Sequence, residues 1–256
     1  MSPSTLELVG LPGIPLVAPG DDLAALILDA VEGAGRRLLG GDVLVVAQKI
    51  VSKVEGRYID LRDVEPSPRA KELAIRTDKD ARMVDLILAE STEVLRERPG
   101  LLVVVHRLGM VLANAGIDAS NVDQEGPSER VLLLPKDPDG SCRRLREELR
   151  RRAGVDVGVV INDSLGRAWR NGTVGVALGA AGLRALEDLR DRVDLFGRPL
   201  AVTQVGAADE LAAAASLLQG QADEGKPVVL VRGLDVYEVP GGAATLIRLE
   251  MEDMFR

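Results

Sequence analysis

Short apolar runs alternate with amphipathic segments along most of this chain. Residues 43–47 and 157–161 are continuous apolar runs of strand length, bounded by glycine or polar residues. Runs of this kind are typical of strands buried within a sheet. The pattern predicts further strands over residues 6–17 (running into a rigid Gly- and Pro-containing loop), 101–106, 110–113, 131–134, 200–205 and 228–231.

Apolar residues at helical spacing fill the intervals between these runs. Asp21 and Asp22 are suitable N-terminal caps for a periodic segment that Gly40 and Gly41 bring to an end. Further helices are predicted over residues 66–75, 81–91, 142–153 (capped by Ser141), 208–218 and 243–254. The periodicity therefore indicates a chain of mixed helices and strands.

The run 157–161 ends abruptly in Asn162, Asp163 and Ser164. A buried strand can end in this way when it delivers a carboxylate and a hydroxyl to a site at its carboxyl end. The same three residues are also ordinary turn formers, so a strand followed by a polar turn also explains them. The pattern alone favours the turn.

Polar side chains also interrupt the apolar pattern after residues 43–47. Gln48, Lys49, Ser52 and Lys53 occupy positions expected on a half-buried strand. Lysine is rarely buried without a partner. Two interpretations of the lysines stay open. They are either a functional pair of cations, or their side chains are exposed or reach past the apolar surface into solvent.

Oxygen-bearing side chains are concentrated in the loop predicted over residues 114–127. Asp118, Asn121, Asp123 and Glu125 lie there among flexible residues. Such a set could bind a hard cation, although the spacing is not that of an EF-hand. An acidic surface loop is slightly favoured on composition.

Composition excludes several classes of protein. The 256 residues are 46% hydrophobic, only 2% are aromatic, and the net charge is −8, which argues against general nucleic-acid or membrane binders. The single cysteine, Cys142, excludes a disulfide framework, and the single histidine, His106, lies in an apolar run that favours a structural role. With no signal peptide and no apolar run of roughly 20 residues, a cytoplasmic location is expected. The basic helix 142–153 indicates a solvated face, with an anion-guiding role left open.

Five separated blocks, in order, resemble the coenzyme F420-0:L-glutamate ligase family, also called gamma-glutamyl ligase or CofE. They cover nearly the whole chain and read GLPGI (10–14), GDVLVVAQKIVSKVEGR (41–57), NAGIDASNV (114–122), INDSLGRAWRNG (161–172) and ADELAAAASLLQGQADEGKPVVLVRG (208–233). The resemblance implies an α+β, mixed-sheet CofE-like fold with two closely joined subdomains and an intertwined homodimer. One domain spanning 1–256 is expected, with an inserted subdomain at about residues 80–155 and no C-terminal nitroreductase-like domain.

The activity implied by the resemblance is GTP-dependent addition of L-glutamate to the lactyl carboxylate of coenzyme F420-0. An acyl phosphate is the implied intermediate, GDP and phosphate are the products, and a further gamma-linked glutamate is allowed. The implied cofactor is Mg²⁺ or Mn²⁺, with K⁺ allowed in addition. Oxygen ligands suit such hard cations, and lysine can pair with phosphate as a point charge.

The resemblance also assigns site residues. Asp118, Asp163, Ser164 and Gln221 are the implied metal ligands, and Asp118, Asp163 and Lys53 the implied catalytic residues. The implied GTP contacts are Leu11, Pro12, Gly13, Ile14, Gln48, Lys49, Lys53, Asn121, Gln219, Gly220, Gln221, Ala222, Asp223, Glu224, Gly225 and Lys226.

Two alternatives to a ligase are considered. A metal-dependent phosphohydrolase would use the same carboxylates with water as the acceptor, and a nucleotide- or deazaflavin-binding protein would use the site without catalysis.

Ala168 stands where the family often has proline, and Ser164 stands where threonine also occurs. Arg167 and Arg170 are candidates for the phosphate of F420-0, because arginine forms bidentate contacts with phosphate.

Overall fold

Six helices and twelve strands are described in the computed structural model, which covers residues 5–122, 129–190, 192–234 and 240–253. In chain order they are β1 Glu7–Gly10, α1 Leu23–Gly33, β2 Val43–Ala47, α2 Gln48–Val54, β3 Tyr58–Asp60, α3 Pro68–Thr77, α4 Ala81–Ala89, β4 Ser91–Arg98, β5 Leu101–His106, β6 Val111–Ala113, β7 Arg130–Leu132, α5 Pro138–Ala153, β8 Gly158–Arg167, β9 Arg170–Ala181, β10 Glu187–Asp188, β11 Gln204–Val205, α6 Ala207–Gln219 and β12 Val228–Arg232. Short 3-10 helices cover Leu61–Asp63, Asn114–Gly116, Gly242–Leu246 and Glu250–Glu252.

A five-stranded mixed sheet in the order β1-β12-β2-β8-β9 forms the centre of the fold. The pair β2 and β8 is parallel, and the other neighbours are antiparallel. One face of the sheet packs against α1 and α5, and the other face packs against α6. Because both faces are covered, the central strands are continuous apolar runs, as the sequence pattern predicted. The α+β class with a mixed sheet is confirmed.

A second, smaller sheet in the order β4-β5-β6 packs against α3 and α4 around a separate apolar cluster. Strands β5 and β6 lie within one residue of their predicted bounds and pair as a hairpin, and α3 and α4 lie within two residues of theirs. Two joined subdomains, the inserted subdomain and the homodimer stay predictions. No helix in the described residues is long and apolar enough to cross a membrane.

Gln48, Lys49, Ser52 and Lys53 lie on a helix, so the strand predicted for them is wrong. The ladder of β2 ends at Ala47, and the chain then turns directly into α2. The buried residues of this helix include positions 48, 51 and 52, which follow helical rather than alternating spacing. A seven-residue helix directly after a strand leaves too short a pattern to be distinguished from a longer strand.

Asn162, Asp163 and Ser164 do not follow a strand but lie within one. Strand β8 continues past the end of β2 and pairs with β9 as far as residue 167. Both the predicted turn and the predicted strand end at residue 161 are therefore wrong. The partner strand β9 supplies the missing backbone hydrogen bonds, which overrides the local turn preference of these residues.

The hairpin of β8 and β9 contains a register shift between Ile161 and Asn162. At this β-bulge, the Ala177 N–H donates to Asp209 Oδ1 at 2.9 Å. Two glycines of β9 lie against backbone, since a Cβ on Gly175 would lie 2.2 Å from the oxygen of Ala212 and one on Gly179 would lie 2.5 Å from that of Pro138. Close packing of α6 on β9 depends on Gly175.

Three helix boundaries differ from the prediction. Helix α1 ends at Gly33, well before Gly40, and α5 begins at Pro138 with Asp137 as its cap rather than at Ser141. Asp137 accepts from the Gly140 N–H, so an earlier capping aspartate displaces the predicted serine. The strand predicted over residues 200–205 is reduced to β11.

The C-terminal helix predicted over residues 243–254 is wrong, because two 3-10 turns cover the described part of it. Asp139 accepts from the N–H groups of Ala243 and Ala244, at 2.8 and 3.2 Å. These contacts hold the segment against α5 in place of a continuous helix. Gly242 approaches the same carboxylate with a φ of +58°, a conformation that favours glycine.

Candidate active site

A large cleft of about 2040 Å³ opens where β2 ends and β8 continues. It is lined by the loop after β1, by α2, by residues 116–122, by the β8–β9 hairpin and by residues 219–227. All five blocks that carry the family resemblance thus contribute residues to this cleft, although the first contributes only Ile14. Such a cleft at the carboxyl end of parallel strands is the usual position of a ligand site in sheets of this kind.

Asp118 lies in this cleft in contact with a lysine. Its Oδ2 is 2.8 Å from Lys49 Nζ, and its Oδ1 accepts from the backbone N–H and the hydroxyl of Ser120, at 3.0 and 2.7 Å. Lys49 Nζ also donates to the Ser120 hydroxyl at 3.0 Å. The ion pair explains how a lysine is accommodated beside the sheet, and both side chains remain partly accessible from the cleft.

Asp163 lines the same cleft but forms no ion pair among the described residues. Its Oδ1 accepts from the Ser164 N–H at 2.8 Å. Burial raises the pKa of Asp163 to about 6, and the charge of Asp118 acts in the same direction against the opposing effects of Ser164 and Lys49. A desolvated carboxylate without an ion-pair partner is suited to binding a cation.

Lys53 joins two of the predicted nucleotide-contacting segments. Its Nζ donates to the Asn121 carbonyl oxygen at 2.7 Å, and Asn121 Nδ2 donates to the Ala222 oxygen at 3.3 Å. The lysine, the asparagine and the loop 220–226 therefore contact each other across one wall of the cleft. Asn121 has a φ of +55°, which asparagine tolerates better than most residues.

Gln48 lines the cleft from the first turn of α2 and is only 1% exposed. Its Oε1 accepts from the Ser52 hydroxyl at 2.9 Å, but its Nε2 has no partner within the described residues. A buried amide donor without an acceptor is costly. This donor is therefore a candidate contact for a bound ligand.

Only some of the remaining predicted GTP contacts line the cleft. Ile14 and all of residues 219–226 line the cleft. Leu11 is fully buried, and its N–H donates to the Val228 oxygen at 2.9 Å. Pro12 and Gly13 are exposed and are not among the lining residues.

The predicted metal ligands Asp118, Asp163, Ser164 and Gln221 all line the cleft. No group of three or more His, Cys, Asp or Glu side chains suited to a metal occurs in the described residues. A cation here would thus be held by two carboxylates together with hydroxyl and amide oxygens, a donor set that fits Mg²⁺ or Mn²⁺. Asp123 and Glu125, the other acids considered for this loop, lie outside the described residues.

Arg167 and Arg170 also line the cleft, at the tip of the β8–β9 hairpin. Between them, Trp169 has a φ of +63° and is 89% exposed. The two guanidinium groups are thus available to an anionic ligand from the hairpin side of the cleft.

His106 lies outside the cleft and is buried, as predicted for a structural residue. Its Nδ1 accepts from the Leu108 N–H at 3.1 Å, and its Nε2 is 3.5 Å from Glu90. Burial opposes ionisation of Glu90, but His106, Arg107 and Arg57 together lower its pKa to about 2. The Arg57–Glu90–Arg107 cluster connects β4 and β5 to the central part of the fold.

Sequence reasoning missed the role of Asn162. Its side chain is 3% exposed and bonds to Gln219 at 2.8 Å. A polar residue directly after the apolar run 157–161 is the available signal, but a strand end or a turn explains it without a distant partner.

The family model described as F420-0:Gamma-glutamyl ligase matches residues 13–233 of this chain. The chain belongs to the F420-0:gamma-glutamyl ligase family. The match includes the cleft-lining residues of α2, of the β8–β9 hairpin and of the loop 219–227.

Members of this family with assigned names align over almost their whole length. The coenzyme F420:L-glutamate ligase of Methanopyrus kandleri is 48% identical over 256 residues, covering 98% of both chains. The enzymes of the same name from Methanothermobacter thermautotrophicus and Archaeoglobus fulgidus are each 46% identical, covering 98% of this chain and 99% and 96% of theirs.

Proposed function

We propose that this protein is a GTP-dependent coenzyme F420-0:L-glutamate ligase that forms GDP and phosphate. The observation that carries the proposal is that Asp118 and Asp163, Lys49 and Lys53 line one cleft. The same cleft contains the buried Gln48 amide donor, which has no partner among the described residues. Relatives named coenzyme F420:L-glutamate ligase align with this chain end to end, which supports the same substrates here.

Asp118, Asp163, Ser164 and Gln221 would hold the divalent cation. When bound, the cation would neutralise charge on the phosphates and polarise the γ-phosphoryl group. The desolvated carboxylate of Asp163, which has no ion-pair partner in the described part of the chain, supports this assignment, because a bound cation would offset the cost of its desolvation. K⁺ remains an additional expectation.

Lys49 and Lys53 would contact the phosphates of GTP. In the structure Lys49 is paired with Asp118. Binding of the nucleotide would break that ion pair. Lys49 would then contact a phosphate oxygen, and Asp118 would contact the cation. Lys53 would keep its bond to Asn121 and thereby hold residues 121 and 222 against the nucleotide.

The proposed reaction has two steps. A carboxylate oxygen of F420-0 attacks the γ-phosphorus of GTP, the bond to the β-phosphate oxygen breaks, and GDP leaves. The amino nitrogen of glutamate then attacks the acyl-phosphate carbon and loses a proton, and the C–O bond to phosphate breaks. The cleft residues act by positioning and charge stabilisation, so no enzyme nucleophile is required.

The direct test supplies the purified protein with GTP, Mg²⁺, glutamate and F420-0 and follows product mass and GDP. We expect a product heavier by one glutamyl unit and GDP formation that needs both acceptors; a second glutamate would give a further increment. Asp163→Ala should abolish turnover, and the surface variant Asp29→Ala, on α1 away from the cleft, should not.

Two outcomes would contradict the proposal. Phosphate release that is independent of both acceptors, without a mass gain, would indicate a phosphohydrolase. Binding of GTP and metal without any turnover would indicate a nucleotide-binding protein.

We also propose the intertwined homodimer that the family resemblance implies. Exposed apolar side chains on the segment 193–202, including Leu195 and Phe196, are consistent with an interface on that side. Sedimentation equilibrium should give twice the chain mass of 27.2 kDa, and a monomer at micromolar concentration would contradict it.

A further inference from the structure

A pair of amide side chains connects α6 to the central sheet beside the cleft. Asn162 Nδ2 donates to Gln219 Oε1 at 2.8 Å, and Gln219 Nε2 donates back to Asn162 Oδ1 at 3.1 Å. Two oppositely directed hydrogen bonds between planar amides fix both their separation and their relative rotation. Each amide therefore specifies the position of the other.

The same amides reach three backbone carbonyls. Gln219 Nε2 lies 3.3 Å from the Pro227 oxygen and 3.4 Å from the Val45 oxygen, and Asn162 Nδ2 lies 3.4 Å from the Ala212 oxygen. The pair thus touches β2, β8, α6 and the segment that leads into β12.

Each contacted segment bears residues assigned to the site. Asn162 directly precedes Asp163, Gln219 precedes the loop 220–226, and Pro227 follows that loop. Val45 lies on β2, three residues before Gln48. The loop 220–226 is therefore held at both ends to the amide pair, and β8 is held to the same pair directly beside Asp163.

Packing alone does not require polar residues here. The neighbouring contact between α6 and the sheet is built from apolar side chains, mostly alanine and valine with Leu211 of α6. Buried amides are costly unless fully bonded, whereas they fix one arrangement when they are. The bonded Asn and Gln are thus better explained by a need to hold α6 and the sheet in one relative position than by a contribution to stability.

We propose that Asn162 and Gln219 are a positioning pair that holds Asp163 and the loop 220–226 in the arrangement which binds metal and GTP. The inference rests on the proposed function for its consequence in catalysis. It also changes the assignment of Gln219, which acts through its neighbours rather than by contact with GTP.

The first test needs no ligand. Gln219→Met keeps the length of the side chain and removes its hydrogen bonds. Hydrogen exchange followed by NMR should show faster exchange, by about tenfold or more, at the Ala47 and Gly220 amides, which bond to the Pro227 and Ser216 oxygens. Unchanged exchange at both amides would overturn the proposal, whatever the protein's activity.

The second test separates positioning from stability. In the double variant Asn162→Leu/Gln219→Met, both partners become apolar and similar in size, so the melting temperature should stay near that of the wild type. GTP affinity with Mg²⁺, followed by the fluorescence of the only tryptophan, Trp169, should nevertheless fall about 10- to 100-fold. The KM for GTP should rise accordingly. The matched control Gln204→Met, on the exposed strand β11, should change neither quantity.

Wild-type GTP affinity in a folded double variant would overturn the positioning role. The positioning role would also be overturned if the losses of GTP affinity in Asn162→Ala and Gln219→Ala multiplied in the double alanine variant. In a bonded pair, removing the second partner should add almost nothing to the loss caused by removing the first. If the wild type itself fails to bind GTP, the proposed function fails, and the exchange experiment still decides whether the pair orders the loop.

Discussion

Replacing Asp163 by asparagine should stabilise the metal-free protein at neutral pH. The carboxylate is desolvated in the fold, and its pKa rises from the model-peptide value of 3.8 to about 6. A shift of that size corresponds to about 3 kcal/mol of destabilisation when the group is ionised. Because the residue keeps some solvent contact, we expect a measured gain of about 1–2 kcal/mol for Asp163→Asn.

The pH dependence of this gain follows from the direction of the shift. Between the unfolded pKa and the folded pKa, the folded state binds more protons, so wild-type stability falls as the pH rises. The variant lacks this titration. The difference in the free energy of unfolding between Asp163→Asn and the wild type should therefore be small near pH 4, grow as the pH rises to about 6, and stay constant above it.

Urea unfolding in EDTA at pH 4.5, 6 and 7.5 measures the effect. Asp118→Asn is the matched control, because Asp118 is paired with Lys49 at 2.8 Å and its loss leaves that lysine without its carboxylate. The control should be neutral or slightly destabilising. An Asp163→Asn variant no more stable than the wild type at pH 7.5, or a gain independent of pH, would refute the burial argument.

Two further predictions concern packing and nucleotide binding. Gly175→Ala places a Cβ 2.2 Å from the Ala212 oxygen and should cost about 1–3 kcal/mol in urea unfolding, whereas Gly166→Ala, which meets no atom within 4 Å, should change stability by less than about 0.5 kcal/mol. Equal costs would contradict the close packing of α6 on β9. Lys53→Met should raise the KM for GTP at least about tenfold, since it removes the charge that we propose contacts a phosphate, and the exposed-helix control Lys71→Met should not. An unchanged KM would remove Lys53 from the site.

The central strands could be predicted because they are covered on both faces. Their apolar runs, 43–47, 157–161 and 228–231, need no knowledge of their partners.

The elements that the prediction missed are those whose form depends on distant partners. β8 continues through Asn162 and Asp163 because β9 supplies its hydrogen bonds. The C-terminal segment departs from a helix because Asp139, more than a hundred residues earlier, binds its N–H groups. Local propensity does not contain this information.

For the site, the sequence identified the residue types and the family resemblance brought them together. The structure places Asp118, Asp163, Lys49 and Lys53 around one cleft, but it moves both lysines from a strand to a helix. The bond between Asn162 and Gln219 spans 57 positions, and no local pattern predicts such a pair.

Transfer of oxygen from the substrate to phosphate tests the ligase mechanism most directly. In a single turnover with GTP, Mg²⁺, glutamate and F420-0 labelled with ¹⁸O in its lactyl carboxylate, the released phosphate is analysed by mass spectrometry. Attack of the carboxylate on the γ-phosphorus predicts one ¹⁸O atom in the phosphate, together with a glutamylated product. Phosphate that carries only solvent or GTP oxygen, with no glutamylated product, would contradict the proposed ligase.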